Sequence, residues 1–184
     1  MKKRLNLVLV LWLASLVFYG YRAYLIANAA IEVENAALNP EKVTPLDLFF
    51  FGFTTPQVQE SFVAMGEKAM QRYRVLEEIE DRIYPISYML LMVFTIILLA
   101  RFLGLNTTYA FLACLFPVGA VFADFAENTR IIGLIDSFPN LLDDEVEQTS
   151  FYNTLKWSLV SASVICILGL SFSALIKKIR SLGA

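Results

Sequence analysis

The stretch YPISYMLLMVFTIILLARFLGLNTTYAFLACLFPVGAVFADFAENTR, residues 84–130, decides the fold. It holds two apolar runs, 86–103 and 109–126, separated by a short polar turn. Each approaches the roughly 20 residues that a helix needs to cross a bilayer. Two more such runs lie at 5–26 and 155–176. The expected fold is therefore an all-α membrane protein, a four-helix transmembrane bundle forming a single membrane domain over residues 1–184. Composition agrees: the 184 residues are 58% hydrophobic and only 17% charged, with a mean hydropathy of +0.61. Soluble domains carry about a quarter charged residues.

The same composition narrows the chemistry. The chain has no histidine and two cysteines, Cys114 and Cys166, each inside an apolar run. Histidine-ligated metal or haem, Ser-His-Asp triads and a disulfide framework are excluded. No cofactor is implied. A net charge of -2 lacks the basic footprint of a nucleic-acid binder.

The first run has two readings. Lys2, Lys3 and Arg4 ahead of apolar sequence, with Ala27-Asn28-Ala29 behind it, resemble a signal peptide. The run is long for that role, and Tyr19, Tyr21, Arg22 and Tyr24 form an interfacial belt before the cleavage-like site, so a retained span is expected. Arg22 is then expected to snorkel to the outer interface.

Positive charge sets the topology. Lys2, Lys3, Arg4, Arg101, Lys177, Lys178 and Arg180 fall on one side, whereas residues 27–83 hold five basic and ten acidic residues. Residues 128–153 hold one basic and five acidic. Both termini are expected in the cytoplasm, in a bacterial inner membrane, with outer loops at 27–85 and 128–153. The Asn106-Thr107-Thr108 sequon then lies in a cytoplasmic turn, where it is not glycosylated.

The first outer loop contains a helix. Thr54 or Thr55 suits an N-cap, Pro56 a first turn, and Gln57 completes a capping box with Thr54. Val58, Phe62, Met65, Ala69, Tyr73, Leu76 and Ile83 follow, mostly at three- and four-residue steps, an amphipathic stripe expected to run to Tyr84-Pro85. That stripe covers the outer ends of the spans, or docks a partner or the lipid headgroup layer. Leu46, Leu48, Phe49, Phe50, Phe51 and Phe53 form an aromatic cluster that is costly to expose. In the second outer loop, Asp143, Asp144, Glu145 and Glu147 read as a solvated acidic face, without the spacing of an EF-hand.

Residues 122–130, FADFAENTR, carry the most chemistry. Asp124, Glu127 and Asn128 stand at i, i+3 and i+4 and share a helix face. Asp124 lies about 22 Å along the helix from Tyr109 at 1.5 Å per residue, near the outer membrane boundary. Ile131, Ile132, Leu134 and Ile135 resume the apolar pattern beyond it. Charges at that depth are costly unless paired, and by default they point to function. Glu127 is expected to pair with Arg130. Asp81, Arg82, Tyr84, Tyr88, Asp124, Glu127, Asn128 and Arg130 are expected to converge at one outer mouth as a candidate ligand site. Four uses are open: a polar staple between helices, a headgroup or small-ligand site, a carboxylate-held divalent metal acting on a lipid, and a proton pathway. Against the last, no acid sits mid-membrane in the other spans.

The topology is similar to that of claudins and tetraspanins, whose Trp-Gly-Leu-Trp and loop-cysteine patterns this chain lacks. Asp81…Tyr84-Pro85…Tyr88 together with Asp124…Glu127-Asn128 resembles a family of small four-span membrane proteins without an established activity. That resemblance covers the chain from about Leu46 onward and implies a shared site but no reaction. The expected function is non-enzymatic binding of a membrane lipid or a partner membrane protein, self-association included, through the outer helix and the polar cluster. The alternatives are a metal-dependent lipid enzyme or a structural subunit of a larger complex.

Overall fold

The computed structural model describes the backbone of residues 2–182 and the side chains from residue 7 onward. The side chains of Lys2, Lys3, Arg4 and Leu5, used above for topology and the first span, lie outside that range. Among the described residues all regular structure is helical: α1 (Lys2–Ala36), α2 (Thr55–Val75), α3 (Asp81–Leu103), α4 (Thr107–Ser137) and α5 (Asp143–Leu182). A π turn, Leu76–Glu80, fuses α2 to α3. Counted with that fusion, four helices are long and apolar enough to cross a membrane. Within the apolar runs, large side chains such as Val17, Phe111, Leu168 and Phe172 point outward, as a lipid-facing surface requires.

The helices overrun the apolar runs. α4 continues to Ser137 and α5 begins at Asp143, so the expected second loop shrinks to a turn around the cis Phe138–Pro139 bond. Ile131, Leu134, Ile135 and Val146 are buried and keep the helical period going. Asp143, Asp144 and Glu145 are not a loop face but the first turn of α5. Carboxylates there meet the unpaired N–H groups and positive end of the helix dipole.

α2 begins where the sequence placed it, with the Thr54 N–H donating to Gln57 Oε1 at 2.8 Å. Its stripe is interior. Val58, Phe62, Met65, Ala69, Tyr73 and Leu76 pack with Val33 of α1, Leu46 and Phe53 of the preceding segment, Ile131, Leu134 and Ile135 of α4, and Val146 of α5. Ile83 alone of the stripe is exposed. The aromatic cluster is split likewise: Leu46 and Phe53 are buried, whereas Phe51 is 96% exposed.

The expected single helix up to Tyr84-Pro85 needs two corrections. First, α2 breaks at Gly66, whose φ of 67° and ψ of 173° lie in a region that only glycine tolerates. The break frees carbonyls that the chain after α1 takes up. Leu38 N–H donates to Met65 O at 3.2 Å and Asn39 N–H to Ala64 O at 3.0 Å. Second, no boundary occurs at Pro85, which lies inside α3.

α1 packs on α2 and α3, and α5 packs on α4 and α3. At the end distant from α2, Trp12 Nε1 donates to Thr95 Oγ1 at 2.9 Å. Lys177 Nζ donates to the carbonyls of Phe102 and Leu103, a cation on the C-terminus of α3. The sequon residue Asn106 is the N-cap of α4, accepting from Thr108 N–H at 2.9 Å.

Gly66→Ala tests the break. A Cβ there would sit 2.6 Å from Leu38 Cδ1, and the backbone strain adds about 1–3 kcal/mol. A lower unfolding temperature is expected in a thermal melt of the purified protein. Leu38→Ala should relieve the contact but not the strain, leaving Gly66→Ala/Leu38→Ala less stable than Leu38→Ala alone.

Candidate functional site

The site grows from two backbone irregularities. Pro85 has no N–H, so the Asp81 carbonyl one turn earlier loses its helical donor. Asn128 of α4 supplies one, its Nδ2 lying 3.0 Å from Asp81 O. Where the π turn meets α3, Arg22 of α1 reaches the Glu80 carbonyl at 2.6 Å while also pairing with Glu80 Oε2 at 2.7 Å. Arg22 is 7% exposed. It does not snorkel to the interface but ties α1 to the α2–α3 junction.

Behind these bonds stands a buried ion pair. Lys156 Nζ of α5 lies 2.5 Å from Glu127 Oε2 of α4, with both side chains at or below 7% exposure. Glu127 Oε1 accepts from Asn153 Nδ2 at 2.7 Å. The same amide donates to Leu46 O at 3.1 Å, and Trp157 Nε1 donates to Asp47 O at 2.9 Å. Tyr73 closes the arrangement: its hydroxyl accepts from Leu46 N–H at 3.0 Å and donates to Asp47 Oδ1 at 3.1 Å. The segment from Leu46 to Asp47 is thus held by side chains from α2 and α5.

Two more carboxyls face the same interior. Asp124 Oδ2 accepts from Tyr88 Oη at 2.8 Å, while its Oδ1 has no hydrogen-bond partner. Glu77, on the π turn ahead of the span, is fully buried, with neither carboxyl oxygen bonded. Burial, reinforced by the neighbouring Asp81 and Asp47 carboxylates, pushes the Glu77 carboxyl well above its ordinary range.

A cavity of about 400 Å³ opens on this cluster. One wall is α1, with Tyr19, Ile26, Ala30 and Val33, and the opposite wall is α5, with Lys156, Trp157 and Val160. Asp47, Asp81, Tyr88 and Asp124 supply polar groups to its lining, and Leu48, Leu76 and Met92 belong to the apolar remainder. A mostly apolar concavity with a few convergent polar groups is the form that small-molecule sites take.

Of the residues expected at one mouth, the structure brings together Asp81, Tyr84, Tyr88, Asp124, Glu127 and Asn128. Tyr84 stacks on Tyr19 with ring centroids 5.9 Å apart. Arg82 is exposed on the outside of α3. Arg130 does not pair with Glu127; its guanidinium lies over the Tyr152 ring, 5.2 Å from the centroid. A pairing within α4 gives way because Lys156 reaches Glu127 from inside the bundle. Sequence reasoning missed Lys156, Asn153, Asp47, Tyr73 and Glu77. For Lys156 a signal was present: a lone lysine near the start of the fourth apolar run is costly there and calls for a partner.

Among the described residues, no three His, Cys, Asp or Glu side chains are arranged to hold a metal ion. Comparison with protein-family models, curated proteins and solved structures found no match, so the site is interpreted from its own chemistry.

Two substitutions separate the roles of the buried carboxyls. Lys156→Met should cost about 3–5 kcal/mol, because Glu127 keeps its burial and loses its cation. Adding Glu127→Gln should recover part of that loss in a double-mutant cycle of thermal melts. Glu77→Gln should behave oppositely. Its folded pKa is raised, so stability is full at low pH and falls as pH rises through the folded value. The variant should therefore gain on the parent as the melt is moved to higher pH.

Proposed function

We propose that the chain is a non-enzymatic multi-pass membrane protein that binds a lipid or lipid-like amphiphile in the cavity between α1 and α5. The observation that carries this reading is the cavity itself: apolar along most of its lining, with Asp81, Tyr88 and Asp124 converging on it as polar groups. The amphipathic stripe of α2 is occupied by the chain's own core, which moves the weight of the proposal from that helix to the cavity. In the proposed topology α2 lies on the extracytoplasmic side, the termini lie in the cytoplasm, and the cavity opens toward the outer leaflet. Charge supports that orientation: Arg101, Lys177, Lys178 and Arg180 gather at the end of the bundle distant from α2, while Asp136, Asp143, Asp144 and Glu145 gather near it.

Native mass spectrometry of protein released from lipid nanodiscs tests the binding. A defined lipid or amphiphile adduct is expected on the parent and should be lost in Ala30→Trp, which fills the cavity from α1. An equal adduct on both proteins would refute the cavity reading. Topology is tested by single cysteines in a Cys114→Ser/Cys166→Ser background. A membrane-impermeant maleimide added to spheroplasts should label Gln148→Cys and should label Ser181→Cys only after permeabilisation. The reverse pattern would invert the proposed orientation.

A further inference from the structure

The charge on the polar lining of the cavity selects among amphiphiles, an inference that rests on the cavity being a binding site. Among the described residues lining it, three are carboxylic acids, Asp47, Asp81 and Asp124, and one is basic, Lys156. Lys156 is already engaged: its ammonium contacts Glu127 Oε2 and lies 5.4 Å from the centre of the Trp157 ring. An incoming anion would therefore meet like charge with no uncommitted cation on the wall. An incoming donor meets the opposite. Asp124 is 3% exposed, and its Oδ1 is a buried acceptor without a partner. A buried acceptor of that kind is costly until a donor reaches it. An ionised carboxylate accepts only, and its bonds to a charged N–H are the strong ones.

We propose that the cavity takes an amphiphile with a protonated amine head, the ammonium lying between Asp124 and Asp81 and the chain running along α1 and α5. Tyr84 and Tyr88 add aromatic surface beside the head, where a cation is favoured. The size of the site limits the occupant. A cavity of about 400 Å³ is near the lower end of the roughly 300–1,000 Å³ spanned by small-molecule pockets. It houses a head and part of one chain. The rest of the chain leaves between α1 and α5, each of which packs on α3.

The test uses full-length protein in phosphatidylcholine nanodiscs, with Trp12→Phe so that Trp157 in the cavity wall is the sole tryptophan. Dodecylamine, dodecanol and dodecyl phosphate are titrated in turn, with empty nanodiscs as the blank, and Trp157 fluorescence is followed. Dodecylamine should give a saturable change at least roughly tenfold tighter than the other two, a difference well resolved by such titrations. Asp81→Asn/Asp124→Asn should abolish that preference while leaving dodecanol binding in place. If the double variant does not fold, the three-probe comparison on the parent decides. Equal binding of all three, or a preference for dodecyl phosphate, would overturn the amine inference and leave the cavity reading standing. No saturable response to any probe, with Ala30→Trp indistinguishable from the parent, would overturn both.

Discussion

The contact on which the rest of this structure depends is the buried pair between Lys156 and Glu127. Two charges taken out of water each carry a penalty of several kcal/mol, and their attraction offsets it only when the remaining lone pairs and protons are also satisfied. Asn153 supplies that satisfaction on the second oxygen of Glu127 and, through the same amide, fixes Leu46 O. One ion pair thus ties α4 to α5 and both to the segment that closes the end of the cavity. It also places a positive charge among the carboxyls of Asp47, Asp81 and Asp124, which would otherwise repel one another.

The second organising constraint is that backbone polar groups must be satisfied wherever water is scarce. Pro85 frees the Asp81 carbonyl on the α2–α3 helix, and the Glu80 carbonyl beside it, where the π turn meets α3, is also bonded from another helix. Asn128 reaches one from α4 and Arg22 reaches the other from α1. The irregularities therefore act as attachment points that draw three helices to one place. Side chains committed to these bonds fill the bundle around the α2–α3 junction. Beside them lies the cavity, lined by residues of α1 and α5.

The sequence made the helices legible because four apolar runs and a three-to-four-residue stripe leave little choice of secondary structure. Helix ends were less legible. Asp143 and Asp144 read as a solvated loop face, and their place on the first turn of α5 shows only with the burial of Val146. The break at Gly66 was invisible for a related reason: a lone glycine in a helical pattern is ordinarily tolerated, and what makes it obligatory is Leu38 arriving from elsewhere in the chain. On the site, the spacing of Asp124, Glu127 and Asn128 correctly placed three residues on one face. It could not show that the partner of Glu127 comes from α5 and not from Arg130, since helix periodicity relates residues within a helix and is silent on which helix lies opposite. Tyr73 has the spacing of a stripe position only, because its bonds to Leu46 and Asp47 depend on where that segment crosses it.

A polar cluster built on Lys156–Glu127 thus borders a ligand cavity lined by α1 and α5. Electron cryomicroscopy of the protein in a lipid nanodisc puts that cavity to the test. α1 and α5 should stand apart, with elongated density between them whose head lies at Asp124 and Asp81. A bundle in which α1 has closed against α5, with Asp124 Oδ1 bonded by a side chain of this chain and no space between the helices, would rule the cavity out.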